Sequence, residues 1–252
     1  MSELIIPIIE IILGIILLFT GGEFFIQGSV ALSLILGIPQ LVIGLTVVAL
    51  GTSSPELLVS LNSVFKGSDG LAVSNVIGSN IFNILVVLGI SSLIKPLKVK
   101  SRIVRRDVPL LIAISCAVWA MSSTGLLTWQ AGIFLLFCLI INTLWEINTI
   151  NDKDEDIKTA EPEINDLTLN KNIINIFFKL SVGILLLSFG SNILVNGSKY
   201  LAALMGINET IIGLTIVATG TSLPELVTSL IAAFKGKTDL AIGNVIGSNL
   251  LN

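Results

Sequence analysis

Apolar residues run through most of this chain in blocks separated by short polar or basic connections, and the blocks approach the roughly 20 residues that a helix needs to cross a bilayer. They predict spans at about 4–25, 40–64, 71–94, 107–123, 126–147, 173–195, 209–234 and from about 240 onward. None alternates residue by residue as a β-barrel strand would. The pattern fails at residues 148–171, NTINDKDEDIKTAEPEINDLTLNK, whose acidic, proline-containing composition suits an aqueous linker. That linker lacks the glycine-centred loop of an EF-hand, which argues against a regulatory calcium site. Residues 1–147 are thus read as a first set of five spans, 148–171 as a linker and 172–252 as a second set. A second set matching the first would need roughly 60 further residues, about three spans, so the chain is expected to end within its eighth span.

The hydrophobic pattern also repeats. Residues 42–83, VIGLTVVALGTSSPELLVSLNSVFKGSDGLAVSNVIGSNIFN, align without a gap with 211–252, IIGLTIVATGTSLPELVTSLIAAFKGKTDLAIGNVIGSNLLN, and 26 of the 42 pairs are identical. The same offset pairs Gly14 with Gly183, Gly21 with Gly190, Gly28 with Gly197 and Gly37 with Gly206. The whole half is therefore duplicated. An odd number of spans per copy inverts the second copy in the membrane, and inverted repeats place sites near the midplane, where interrupted helices meet. The expected fold is all-α: a polytopic membrane protein of two inverted-topology repeats of five transmembrane helices, the second truncated.

Composition narrows the class. A mean hydropathy of +0.96 with 12% charged residues excludes an ordinary soluble surface. Lys95, Lys98, Lys100, Arg102, Arg105 and Arg106 crowd one connection, which should stay cytoplasmic, with the N-terminus outside and the acidic linker in the cytoplasm. MSELIIPIIE lacks the basic segment and cleavage site of a signal peptide, so the first span is expected to be retained. The chain has no histidine, and Cys116 and Cys138 lie in apolar runs without partner spacing, so zinc, haem and disulfide chemistry are poorly supported. No cofactor and no nucleic-acid partner are expected; the bilayer and small cations are. A monomer suffices, and the sequence sets no oligomeric state.

The chemistry lies in the repeated segment. Each copy places one carboxylate, Glu56 or Glu225, after a proline inside an apolar span. Proline has no N–H, so Pro55 and Pro224 should free the carbonyls of Gly51 and Gly220 and open the helix, exposing backbone oxygens. Carboxylates, hydroxyls and carbonyls are the hard donors that calcium and sodium prefer. Two buried carboxylates side by side conflict unless one is protonated or a cation lies between them. One Ca²⁺ neutralises both, and so do two Na⁺ or two H⁺, which makes occupancy mutually exclusive. Packing accounts for proline and glycine in such helices but not for matched glutamates. GSNIFN and GSNLLN, one helix on, add Ser79, Asn83, Ser248 and Asn252 as neutral donors, with interhelical hydrogen bonding as the alternative. Glu10, Glu23, Glu146 and Glu209 read as interfacial, Lys66 and Lys235 as solvated turn residues, and Trp119, Trp129 and Trp145 as belt or packing residues.

At GTSSPE/GTSLPE and GSN the sequence resembles the cation/Ca²⁺ exchanger superfamily, most closely prokaryotic sodium/calcium exchangers. The resemblance implies ten helices, with spans two, three, seven and eight as a core and spans one and six sliding past it. It implies Glu56 and Glu225 as central ligands of Ca²⁺ shared with sodium sites, backbone oxygens at Thr52 and Thr221, and sodium-site oxygens at Ala49, Ser53, Ser79, Ala218, Ser222 and Ser248, with Asn83 at its middle position. Where several sodium/calcium exchangers carry an aspartate in the second repeat, this chain has Asn252, leaving two acids flanked by two amides. The expected function is a non-enzymatic antiporter exporting Ca²⁺ against Na⁺ entry. A proton/calcium antiporter and a passive cation channel are the alternatives, and an intramembrane hydrolase is disfavoured because no metal-protease motif is present.

Overall fold

A computed structural model describes residues 2–67, 69–125, 128–148, 173–207, 216 and 218–252, so nearly all of the acidic linker, and Glu209 with it, lies outside the described residues. The described elements are helices: α1 Ser2–Leu36, α2 Gln40–Thr52, α3 Ser54–Phe65, α4 Asp69–Ile94, α5 Val108–Ser123, α6 Trp129–Asn148, α7 Ile173–Leu204, α8 Ala218–Thr221, α9 Leu223–Phe234 and α10 Thr238–Leu251. The segments Leu4–Leu36, Asp69–Ile94, Trp129–Ile147 and Ile173–Leu204 are long and apolar enough to cross a membrane, and α2 with α3 makes a bent fifth. The other three expected spans correspond to the shorter α5, α8 with α9, and α10. Helices α1 and α7 outrun the expected boundaries of 25 and 195. In α1 the buried Ser29 hydroxyl bonds back to the Phe25 carbonyl at 2.8 Å, so it does not act as a stop.

The proline breaks fall where the motif places them. Helix α2 ends at Thr52, Ser53 adopts φ −82° and ψ 4°, and α3 departs at 45° with Pro55 in its first turn. Ser222, at φ −91° and ψ 8°, separates α8 from α9, whose first turn holds Pro224. A proline there lacks only an N–H that the first turn would leave unpaired.

Glycines set the close helix crossings. A Cβ on Gly14 would lie 2.6 Å from the Leu194 Cβ, one on Gly21 2.8 Å from the Leu186 Cβ, and one on Gly183 2.8 Å from the Phe25 Cβ. The partners climb along α7 as they descend along α1, so these equivalent helices run antiparallel with their backbones almost touching. Helices α2 and α10 cross as tightly, since a Cβ on Gly243 or Gly247 would lie 2.5 Å from the carbonyl oxygen of Leu41 or Leu45. Around these crossings Leu18, Phe25, Ile26, Leu187, Ile231 and Leu240 form the main core.

Two of the glutamates read as interfacial are paired. Glu23 pairs with Lys235, tying α1 to the end of α9. Glu146 is buried and holds both Arg102, at 2.7 Å, and Arg106. The Arg106 guanidinium lies 4.4 Å above the Trp145 ring, so that tryptophan is a packing partner. Lys100 pairs with Asp239 at 3.2 Å, placing the basic connection beside the start of α10.

Candidate functional site

The two helix breaks meet in the interior. Glu56 and Glu225 begin α3 and α9, and their relative exposures of 1% and 0% place both carboxylates out of contact with solvent or lipid. Each sits in the first turn of its helix, where the positive end of the dipole favours an anion. Their partners are exchanged between repeats. The Ser53 Oγ donates to Glu225 Oε1 at 2.9 Å, and the Ser222 Oγ donates to Glu56 Oε1 at 2.9 Å. A serine three residues before one glutamate thus holds the other, because the break at each serine turns its side chain away from its own helix. Neither glutamate joins an ion pair among the described residues.

Behind this pair lies a layer of amides that the sequence reading overlooked. Asn75 Nδ2 donates to the Glu56 carbonyl at 3.2 Å and to Ser60 Oγ at 3.0 Å; Asn244 Nδ2 donates to the Glu225 carbonyl at 3.4 Å and to Ser229 Oγ at 2.9 Å. The Thr52 hydroxyl donates to Asn244 Oδ1 at 3.0 Å and lies 3.5 Å from Ser248 Oγ. Asn80 and Asn249 bond each other's carbonyls at 3.3 and 3.2 Å, while Asn83 donates to Asn249 Oδ1 at 3.0 Å and Asn252 to Asn80 Oδ1 at 3.2 Å. The signal was available, since Asn75 with Asn244 and Asn80 with Asn249 also recur at the 169-residue offset.

Several buried oxygens find no partner within the described residues: Glu56 Oε2, Glu225 Oε2, Ser79 Oγ and Asn83 Oδ1. Such orphans are costly away from water, and a bound ion or water accounts for them. All four belong to the anticipated donor set. Among the described residues no three His, Cys, Asp or Glu side chains gather, so two carboxylates surrounded by neutral oxygens define the charge. A cavity of about 90 Å³, lined by Ser53, Ser54, Glu56, Ser60, Leu57 and Asn252 among others, opens beside Glu56.

The remaining anticipated residues divide. Ala49 is fully buried, Thr221 and Asn252 are half-buried, and the side chain of Ala218 lies outside the described residues. The Gly220 carbonyl expected to be open is occupied, for it accepts the Ser191 hydroxyl of α7. The proline frees the carbonyl, and a serine from a neighbouring helix takes it. At the equivalent of Ser191 the first repeat has Gly22, which has no hydroxyl to offer.

The family described as sodium/calcium exchanger protein matches residues 6–148 and 176–252. Inner membrane protein YrbG of Escherichia coli K12 is 34% identical over 245 residues, covering 96% of this chain and 75% of its own length. Sodium/calcium exchanger MaX1 of Methanosarcina acetivorans is 30% identical over 275 residues, 96% of this chain and 79% of its own. The sodium-calcium exchanger NCX_Mj, soaked with 10 mM Na⁺ and no Ca²⁺, superposes with a TM-score of 0.82 at 34% identity over 98% of this chain and 79% of its own.

Proposed function

The chain belongs to the sodium/calcium exchanger protein family, and from that premise we propose that it exports Ca²⁺ in exchange for Na⁺ by alternating access, with Glu56 and Glu225 as the carboxylates both ions share. The chain is an integral membrane protein of the cation antiporter class, a transporter and not an enzyme. Its coupling ion and direction are the parts proposed. One observation carries the reading: two buried carboxylates from opposite repeats each keep one oxygen on the other repeat's serine and one without a partner among the described residues. A divalent cation between the free oxygens neutralises both charges, and two monovalent ions do the same, so either cargo excludes the other.

Ser79, Asn83 and Ser248 complete the oxygen set, together with the hydroxyls of Ser53 and Ser222, the backbone at Thr52 and Thr221, positions Ala49 and Ala218, and the amide of Asn252. With asparagine at 252 the site charge is −2, which balances one Ca²⁺ or two Na⁺. Residues 1–147 and 172–252 form the two inverted repeats; the antiparallel course of α1 and α7 supports that arrangement. In the cell membrane the basic connection 95–106 and the acidic linker face the cytoplasm, and the N-terminus faces outward.

The test is ⁴⁵Ca²⁺ uptake into proteoliposomes loaded with Na⁺, compared with K⁺-loaded vesicles and with vesicles under an imposed proton gradient. Uptake that requires internal Na⁺ establishes sodium coupling. Uptake driven only by protons moves the protein to the proton-coupled branch, and uptake without any counter-ion makes it a channel.

A further inference from the structure

On α4 the residues Ser79, Asn83, Val87 and Ser91 follow one another at intervals of four, and all are fully buried at 0% exposure. Spacing of this kind lays them along one face. Three of the four carry an oxygen without a partner among the described residues: Ser79 Oγ, Asn83 Oδ1 and Ser91 Oγ. The segment from Asn83 to Ile94 packs against α9, where Thr228, one turn beyond Glu225 and 1% exposed, has an equally unpartnered Oγ1. Elsewhere in the chain helix hydroxyls return to their own backbone: Ser29, Thr46, Ser54 and Ser63 all bond the carbonyl four residues back, at 2.7 to 2.8 Å. Ser91 and Thr228 leave that local bond unmade while shut away from water.

Both lie beyond the glutamates in the same direction. Ser91 follows Asn83 by about 12 Å along the helix axis and precedes Lys95 by one turn; Thr228 follows Glu225 by about 4.5 Å. A Cβ on Gly236, just past the end of α9, would lie 2.9 Å from the Lys95 Nζ, so the two helices finish together at the basic connection. The wide turn Asn83–Leu88 in α4 leads toward that end, and irregular turns of this kind concentrate at functional positions. The first repeat has Val59 at the position equivalent to Thr228, so this hydroxyl is not repeated on the opposite route.

We propose that Thr228 and Ser91 form a one-sided relay of oxygen ligands through which the cation, partly hydrated, passes between Glu225 and the end of the protein bearing Lys95. The relay rests on the exchange reading above. Its hydroxyls replace water around the ion over a stretch where neither helix offers a carboxylate.

The test compares the unmodified chain with T228V, T228S, S91A and T228V/S91A, each reconstituted at equal protein content, and reads both the saturating rate of ⁴⁵Ca²⁺ uptake and equilibrium ⁴⁵Ca²⁺ binding in detergent. T228V and S91A are expected to slow uptake about tenfold each, the effect of losing one oxygen contact at a barrier. Binding stays within about twofold, because Glu56 and Glu225 are untouched, and T228S restores the rate. Unchanged uptake in the double variant overturns the relay, as does a parallel loss of binding and rate that T228S fails to rescue. Failure of the unmodified chain to take up Ca²⁺ under any gradient removes the exchange reading itself, and the relay with it.

Discussion

The hydroxyl of Ser53 holds Glu225 at 2.9 Å although 172 residues separate them, and Ser222 returns the same bond to Glu56. Each repeat therefore orients the other's carboxylate. A change at one serine is felt at the distant glutamate before its own.

Removing either charge is the first consequence to test. E56Q and E225Q should each weaken Ca²⁺ binding by about thirtyfold or more, since losing one member of a buried charge interaction costs about 2–5 kcal/mol. Transport should fall below detection. Scintillation-proximity binding of ⁴⁵Ca²⁺ checks the affinity, and retained transport by both variants would remove the glutamates from the site.

A double-mutant cycle separates the crossed arrangement from a simple cluster. S53A should couple to E225Q by about 1 kcal/mol in Ca²⁺ binding, the worth of a hydrogen bond, and couple weakly to E56Q. The same cycle with S222A should show the reverse preference. Equal coupling of S53A to both glutamates would mean that the serine contact is not specific.

The bond from Ser191 to the Gly220 carbonyl ties α7 to the break before α9. S191A leaves that carbonyl unsatisfied in a low-dielectric interior, at a cost of about 1–3 kcal/mol. The melting temperature in detergent should fall by about 2–4 °C for each kcal/mol lost. S191T, which keeps a hydroxyl, should recover most of the loss, and an unchanged melting curve for S191A would show that water substitutes freely.

G183A tests the α1–α7 seam. Its new Cβ would sit 2.8 Å from the Phe25 Cβ and the Phe25 backbone nitrogen, a position that no side-chain rotation relieves. Separation of the two helices should cost about 1–3 kcal/mol, as overpacking does elsewhere. G70A, where a Cβ would meet nothing within 4 Å, serves as the control and should melt like the unmodified chain.

Much of the site was legible because its determinants are local or repeated. The recurrence at 169 residues exposed Glu56 with Glu225 and Ser79 with Ser248, and the prolines announced the breaks at Ser53 and Ser222. Asn75, Asn80, Asn244 and Asn249 recur equally but were passed over, since an asparagine in an apolar helix shows its importance only through the carbonyl it reaches. Ser191, Glu23 and Glu146 gave no repeated signal. Their partners come from other helices, and only packing identifies them.

The chain by itself determined which segments are helical, which are apolar enough for a bilayer and where two of them break. These follow from side-chain transfer energies and from a missing proline N–H, neither of which depends on distant residues. Only the tertiary structure decided how the two near-identical copies are used. Helix α10 packs mainly against α2, and α9 against α1, α10 and the second half of α4. The crossing of the two helix breaks places each serine on the other repeat's glutamate, a meeting that depends on packing between distant segments and on no local preference of either copy.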